Sequence, residues 1–334
     1  SVFTADGQPR RMDDALIIGG TRFIGRHLVT ELLDAEYDVT LFNRGTRENP
    51  FADHDRVDQY TGDRTSGAAL KEAKEAVEPD IVVDCVAYYP GEVKLAVEAF
   101  EDVGAYVYIS SGAAYGPDVI PKREDETPLE PCTDEQAVAD SHETYGARKA
   151  EGDRIVFEAA EEGVNAMSVR PTIVYGPHDY TGRYQYWIDR IAEYDRVLVP
   201  GDGTNIHHLV SVYNTVRAIR TVAESGEPGE AYNAGDRTVL TMQDLLEQTA
   251  DAVGADPEFV TANDRELATA DLESTDFPLY NPDVHILSTE KLADIGWEPL
   301  GPEAAIARTV DWEGEPERDP GPDRAAEETV LDSL

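Results

Sequence analysis

From Ala15 onward, short β-branched runs alternate with stretches of helical period, and that alternation leaves the chain few architectures. The runs ALII, DVTLF, IVVDCV, YVYIS and AMSVR begin at Ala15, Asp38, Ile81, Tyr106 and Ala166. Helical patterns separate them over about 23–35, 68–77, 93–102 and 145–162. Strand, helix, strand repeated in this way predicts an α/β fold, a doubly wound parallel sheet with helices on both faces. After Gly176 the pattern changes. Helical stretches near 184–194 and 212–224, a strand-like AYNAG and a helix opening at Thr241 predict a smaller C-terminal α/β substrate lobe, partly interleaved with the sheet. The expected division is a loose arm over 1–11, a sheet domain over 12–178, the lobe over 179–312 and a flexible acidic tail over 313–334.

Charge narrows the partners. The 334 residues carry 68 Asp and Glu against 28 Lys and Arg, a formal charge of −40, while the apolar fraction stays at 41%. A protein that binds nucleic acid by bulk phosphate neutralisation is excluded, and attraction to an anionic membrane surface is disfavoured. Carboxylates recur along nearly every segment, which reads as a surface adapted to high salt, where self-repulsion is screened. Cys85 and Cys132 are too few for a disulfide framework or a metal-ligand set, so no metal is expected. No apolar run approaches a membrane span and the first residues lack the apolar stretch of a secretory signal, which makes a cytoplasmic, high-salt interior the expected setting.

The first strand runs into Gly19, Gly20, Thr21, Arg22, Phe23, Ile24 and Gly25 and then an amphipathic helix. Glycines in the first strand-to-helix turn let the backbone approach a pyrophosphate, and the helix N-terminus offers N–H groups and the positive end of its dipole. The pattern predicts a Rossmann-type dinucleotide site, the alternative being a tight structural turn. At the end of the second strand stand Asn43, Arg44 and Gly45, so the acid that accepts both ribose hydroxyls in an NAD site is missing. Arg44 offers a planar fork of donors that suits a 2′-phosphate, which favours NADP over NAD. Asp63, after a short third strand, is either an acceptor for the adenine amino group or an ordinary turn aspartate.

Tyr145 and Lys149 share one face of the long helix. A phenol with a pKa near 10 works at neutral pH only when a neighbouring cation stabilises the phenolate. With sixteen tyrosines and six lysines in the chain, the spacing alone is a modest signal. Its context is YVYIS, whose end presents Ser110 and Ser111 where ligands of open α/β sheets bind.

With GGTRFIG, YISSGAAYG (108–116), YGARK (145–149), RPTIVYGP (170–177) and KLADIGWEP (291–299) in this order, the chain resembles the extended short-chain dehydrogenase/reductases, or NAD-dependent epimerase/dehydratases, from about 15 to 312. The resemblance implies catalytic roles for Ser111, Tyr145 and Lys149, cofactor contacts by Lys149 and Pro171, and a homodimer. Departures are equally specific. Arg22 replaces the middle glycine of the turn, and the segment AYYPGEV (87–93) holds no counterpart of the family's helix asparagine. Gly112 and Ala113 replace an acidic pair carried by dehydratases, which disfavours simple dehydration. Ile173 and the segment IHHLVSVYN (206–214) lack the groups that grip a nucleotide-sugar diphosphate. Within the family, GGTRFIG and FNRG look most like an atypical subgroup that is also similar to plastid stem-loop RNA-binding proteins.

Two readings follow. The first is an NAD(P)-dependent epimerase or oxidoreductase acting on a hydroxyl or carbonyl of a sugar-like or small polyol substrate. The second is a binding protein on the same fold, idle with its cofactor or binding RNA, and the charge of −40 opposes RNA.

Overall fold

The computed structural model describes residues 13–116, 119–314, 317 and 320–334. The expected arm over 1–11 lies outside the described residues. Two compact units share the chain. One comprises Ser1–Thr172, Asn214–Ala234 and Leu287–Glu298, and the other Ile173–Tyr213, Gly235–Ile286 and Pro299–Leu334. The switch between them thus falls at Thr172, ahead of the expected 178, and the chain returns twice to the first unit.

The first unit is built on seven parallel strands. They are β1 (Asp14–Ile18), β2 (Asp38–Asn43), β3 (Val57–Thr61), β4 (Ile81–Asp84), β5 (Ala105–Ile109), β6 (Ala166–Pro171) and a last strand, Ala231–Ala234. Their spatial order runs from that last strand through β6, β5, β4, β1 and β2 to β3. Order reverses at the β4–β1 pair, the position where doubly wound sheets open a crevice beyond their strand ends. Side chains of period two serve both faces. Ile17, Leu41, Val83 and Val107 join one buried cluster, while Leu16, Ile18, Val82 and Tyr106 join the other.

Five helices of this unit are α1 (Phe23–Asp34), α2 (Gly67–Val77), α3 (Pro90–Ala99), α4 (Asp134–Val138) and α5 (Tyr145–Glu161). Helix α3 starts earlier than its apolar pattern predicts. Pro90 pre-sets the first helical turn, and the Glu92 carboxylate accepts the N–H groups of Tyr88 and Tyr89 at 2.8 and 3.2 Å.

In the second unit, helices Arg183–Glu193, Met242–Val253 and Pro302–Val310 surround a core that includes Trp187, Leu246 and Ile306. The flexible tail expected over 313–334 is corrected here, because Arg324–Leu331 is a helix with Val330 and Leu331 buried. Acidic, proline-containing composition masked a short run of helix formers capped by Asp323, whose side chain accepts the Ala326 N–H. Glu327 anchors this helix. It is 1% exposed, accepts from the Tyr186 hydroxyl, and pairs with Arg190 at 2.8 Å and Arg324 at 3.1 Å. Replacing Glu327→Ala leaves two guanidinium groups facing a half-buried gap and is expected to lower stability by about 3 kcal/mol. Urea unfolding against the parent protein measures it, and a loss within experimental error would show that the helix docks without this pairing.

Candidate active site

The first constellation gathers at the end of β1. Gly19 and Gly20 have φ of +114° and +89°, in the region that glycine enters without penalty. Gly20 also lies so close to β2 that a Cβ there would sit 2.4 Å from Leu41. A Cβ on Gly25, in the first turn of α1, would meet the Gly20 backbone nitrogen at 2.8 Å. The turn is therefore folded tightly against the helix, and Thr21, Phe23 and Ile24 fall within it. Arg22 is the N-cap residue, in extended conformation, and makes no side-chain cap bond, and no acid occupies the first turn of α1. That end of the helix keeps its positive character, as an anion site requires.

Asn43 shapes the neighbouring loop. Its amide donates to Gly19 O at 3.3 Å and its oxygen accepts from Gly45 N at 2.8 Å and Gln59 Nε2 at 3.2 Å. Arg44 beside it is exposed. Asp63 closes a turn onto Thr65, accepting its N–H at 2.9 Å and its hydroxyl at 2.8 Å, and these bonds, with Arg44 and Arg64 nearby, hold the carboxyl below its ordinary range. Pro171 ends β6, also at the carboxyl ends of the strands but on the other side of β1.

The second constellation lies at the ends of β4 and β5. Ser111 follows β5 and caps a short turn, Gly112–Ala114, its Oγ accepting Ala113 N at 3.2 Å. A hydroxyl that accepts there keeps its proton for donation elsewhere. Helix α5 packs directly on this turn, because a Cβ at Gly146 would stand 2.4 Å from Ala113 O. The same packing brings Tyr145, half-buried at the start of α5, to the Ser111 side of the sheet. Lys149 is buried, and its Nζ donates to Ala87 O at 2.8 Å and Ile109 O at 2.7 Å. Its third N–H has no carbonyl or carboxylate partner among the described residues. Aromatic rings face the ammonium, with centroids at 4.9 Å for Tyr108, 5.3 Å for Tyr88 and 5.8 Å for Tyr145. Burial pushes the Lys149 pKa down to about 8, against the upward pull of Asp84, Asp153 and Glu92.

Ser111 thus leads into the turn against which the helix bearing Tyr145 and Lys149 packs. Two backbone carbonyls hold the lysine directly. Other groups escaped sequence reasoning. Asp84, fully buried at the end of β4, takes both Arg64 Nη1 contacts at 2.8 and 2.9 Å and the Tyr106 hydroxyl at 3.1 Å. Asp153 pairs with Arg170 at 2.8 Å beneath the Ser110 hydroxyl. Asp153 had one available signal, its place one helical turn beyond Lys149 on the same face. Among the described residues no cluster of His, Cys, Asp or Glu is placed to hold a metal ion, and no helix is long and apolar enough to cross a membrane.

Comparison with known proteins agrees with this geometry. The model of the NAD dependent epimerase/dehydratase family matches residues 15–103 and 91–235. A chloroplast stem-loop binding protein of 41 kDa from Arabidopsis thaliana is 28% identical over 300 residues, 85% of this chain and 74% of that protein. A dTDP-D-glucose 4,6-dehydratase of Mus musculus is 22% identical over 327 residues, 89% of this chain and 87% of that one. Among solved structures, a UDP-glucose 4-epimerase of Thermotoga maritima with UDP-glucose superposes with a TM-score of 0.70 at 22% identity, covering 90% of this chain and 98% of that chain.

The depressed affinity of Lys149 for its proton has a measurable sign. Between pH 8 and the lysine's ordinary value the unfolded chain binds more protons than the folded one, so the lysine's contribution to stability rises with pH, by at most about 1.4 kcal/mol per unit. Unfolding free energies of the parent and of Lys149→Met, measured from pH 7 to 10, should therefore shift in favour of the parent as pH rises. A constant difference would mean that the folded lysine titrates as a free one does.

Proposed function

The chain belongs to the NAD-dependent epimerase/dehydratase family, the extended short-chain dehydrogenase/reductase type of enzyme, and from that premise we propose that it exchanges hydride and a proton at a hydroxyl or carbonyl of a sugar-like or small polyol substrate. The observation that carries this reading is the buried ammonium of Lys149, held by two carbonyls with the Tyr145 ring at 5.8 Å. A nicotinamide dinucleotide, when bound, supplies the hydride acceptor and donor at its C4. The glycine turn at Gly19, Gly20 and Gly25, with the uncapped N-terminus of α1, suits its pyrophosphate.

Each residue then has a separate task. Ser111 donates its hydroxyl proton to the substrate oxygen and fixes its position. Tyr145 Oη takes the proton from a substrate hydroxyl or returns it to a carbonyl. Lys149 stabilises the Tyr145 phenolate electrostatically and offers its remaining N–H to the nicotinamide ribose.

Replacing Tyr145→Phe should cut turnover at least about 100-fold while the dissociation constant of the coenzyme stays within about twofold. The assay is reduced-coenzyme absorbance or product analysis with UDP-glucose and with uncharged hexoses and polyols. Retained turnover would remove Tyr145 from the chemistry.

NADP is the preferred coenzyme in this proposal. The Asn43 side chain is engaged within its loop, which leaves the exposed Arg44 to meet a 2′-phosphate. Calorimetry should give tighter binding of NADP than of NAD, and Arg44→Asp should reverse the order, a change of about tenfold or more in the ratio. Equal affinities in both proteins would exclude a reading of the 2′-position by Arg44.

A further inference from the structure

One buried ion pair at this site has no part in the chemistry just described. Asp153 is wholly buried on α5, and its Oδ2 accepts both Ser110 Oγ at 3.0 Å and Arg170 Nε at 2.8 Å. Its Oδ1 is buried with no hydrogen-bond partner among the described residues. An anion in that state is costly to bury. Ser110 and Ser111 are neighbours on extended backbone, so holding the first inward aims the second outward. The far end of the same turn is tied to the same pair, because Arg170 Nη1 donates to the Tyr115 hydroxyl at 2.8 Å, which in turn donates to Asn233 Oδ1 at 2.8 Å.

We propose that Asp153 is a positioning residue of this active site, its carboxylate tying the strand end that carries Ser111 to the helix that carries Tyr145 and Lys149, and presenting negative charge to the Lys149 ammonium. The inference rests on the Tyr145–Lys149 reading above. Asp153 stands one helical turn from Lys149, and the charged and titratable groups around that lysine come from every neighbouring element. Asp84 and Cys85 face it from the end of β4, Glu92 from α3, Arg64 from the segment before α2, Tyr108 from β5, Tyr88 from the loop before α3 and Tyr145 from its own helix. Asp84 is shared with Arg64 and Tyr106, as Asp153 is with Arg170 and Ser110, and of the two only Asp153 lies on the same helix as the lysine.

The test uses the full chain labelled with ¹³C at lysine Cε. Six lysines give six resonances, and Lys149→Arg identifies the one that matters. In the parent this resonance should titrate near pH 8, and in Asp153→Asn its midpoint should fall by about half a unit or more. An unchanged midpoint overturns the electrostatic role. Because Asp153→Asn leaves Arg170 without a counter-ion and can fail to fold, Ser110→Ala provides a second measurement that removes a hydroxyl only. That variant should keep the parent Lys149 titration and show at least about tenfold faster amide exchange across Gly112–Ala114. Parent-like exchange there overturns the anchoring of the Ser111 turn. Neither readout requires turnover, so a failure of this inference is distinguishable from a failure of the Tyr145 chemistry, which would show as activity in Tyr145→Phe.

Discussion

A single ammonium held inside the protein organises the rest of this site. Removing a charge from water costs several kcal/mol even after the surroundings relax, so Lys149 stays charged only where fixed dipoles and counter-charges replace its hydration. Two carbonyls do so at 2.7 and 2.8 Å, one at the end of β5 and one just beyond β4. Ile109 is the last residue of β5 and Ala87 lies beyond β4, and each buried carbonyl there needs a donor. The lysine and the strand ends therefore satisfy each other. The arrangement exists because β4 and β5 are adjacent, with α5 packed along that side of the sheet.

Packing distances rather than long side chains hold the reacting groups in register. At Gly146 the helix comes so close to the Ser111 turn that no side chain fits, and at Gly152 a Cβ would lie 2.6 Å from the Tyr108 hydroxyl. Helix α5 is thus seated by two close contacts, one on each side of Lys149. The Asp153–Arg170 pair fastens it to β6 one residue beyond the second contact. A helix constrained in this way presents Tyr145 with little freedom, which is what the proton transfer proposed for it requires.

Much of this was legible because it follows from period and position. The strand–helix alternation, the glycine turn and the Tyr145–Lys149 spacing all express local backbone geometry, and the structure puts the elements within a few residues of the expected places. What was not legible depends on atoms that carry no residue identity or on pairs far apart in sequence. The holders of Lys149 are the backbone oxygens of Ala87 and Ile109, which any residue would supply. Asp153 is one of 68 acidic residues, and its partner Arg170 is brought to it only by the sheet. The bonds of the Asn43 side chain to Gly19 and Gln59 likewise join residues that only the fold brings together. The helix Arg324–Leu331 was hidden by an acidic, proline-containing composition, although its own eight residues favour a helix.

The charge distribution explains how so acidic a protein accommodates an anionic coenzyme. Among the described residues, buried Lys122, Arg148, Lys149 and Arg170 are matched by buried Asp80, Asp84, Asp153, Asp179, Asp236 and Glu327, so burial leaves the acidic excess of the exterior in place. The long-range field of such a surface repels a dinucleotide. Screening removes that field beyond about 3 Å at 1 M salt, while contacts between N–H groups and phosphate oxygens act at shorter range and persist. In high salt the attraction needed for binding therefore reduces to what touches the ligand directly. In the proposed site the uncapped end of α1, the backbone of the glycine turn and the exposed Arg44 would supply such contacts without offsetting the net charge elsewhere. The same argument weighs against a nucleic-acid ligand, whose affinity depends on many phosphates and weakens steeply as salt rises.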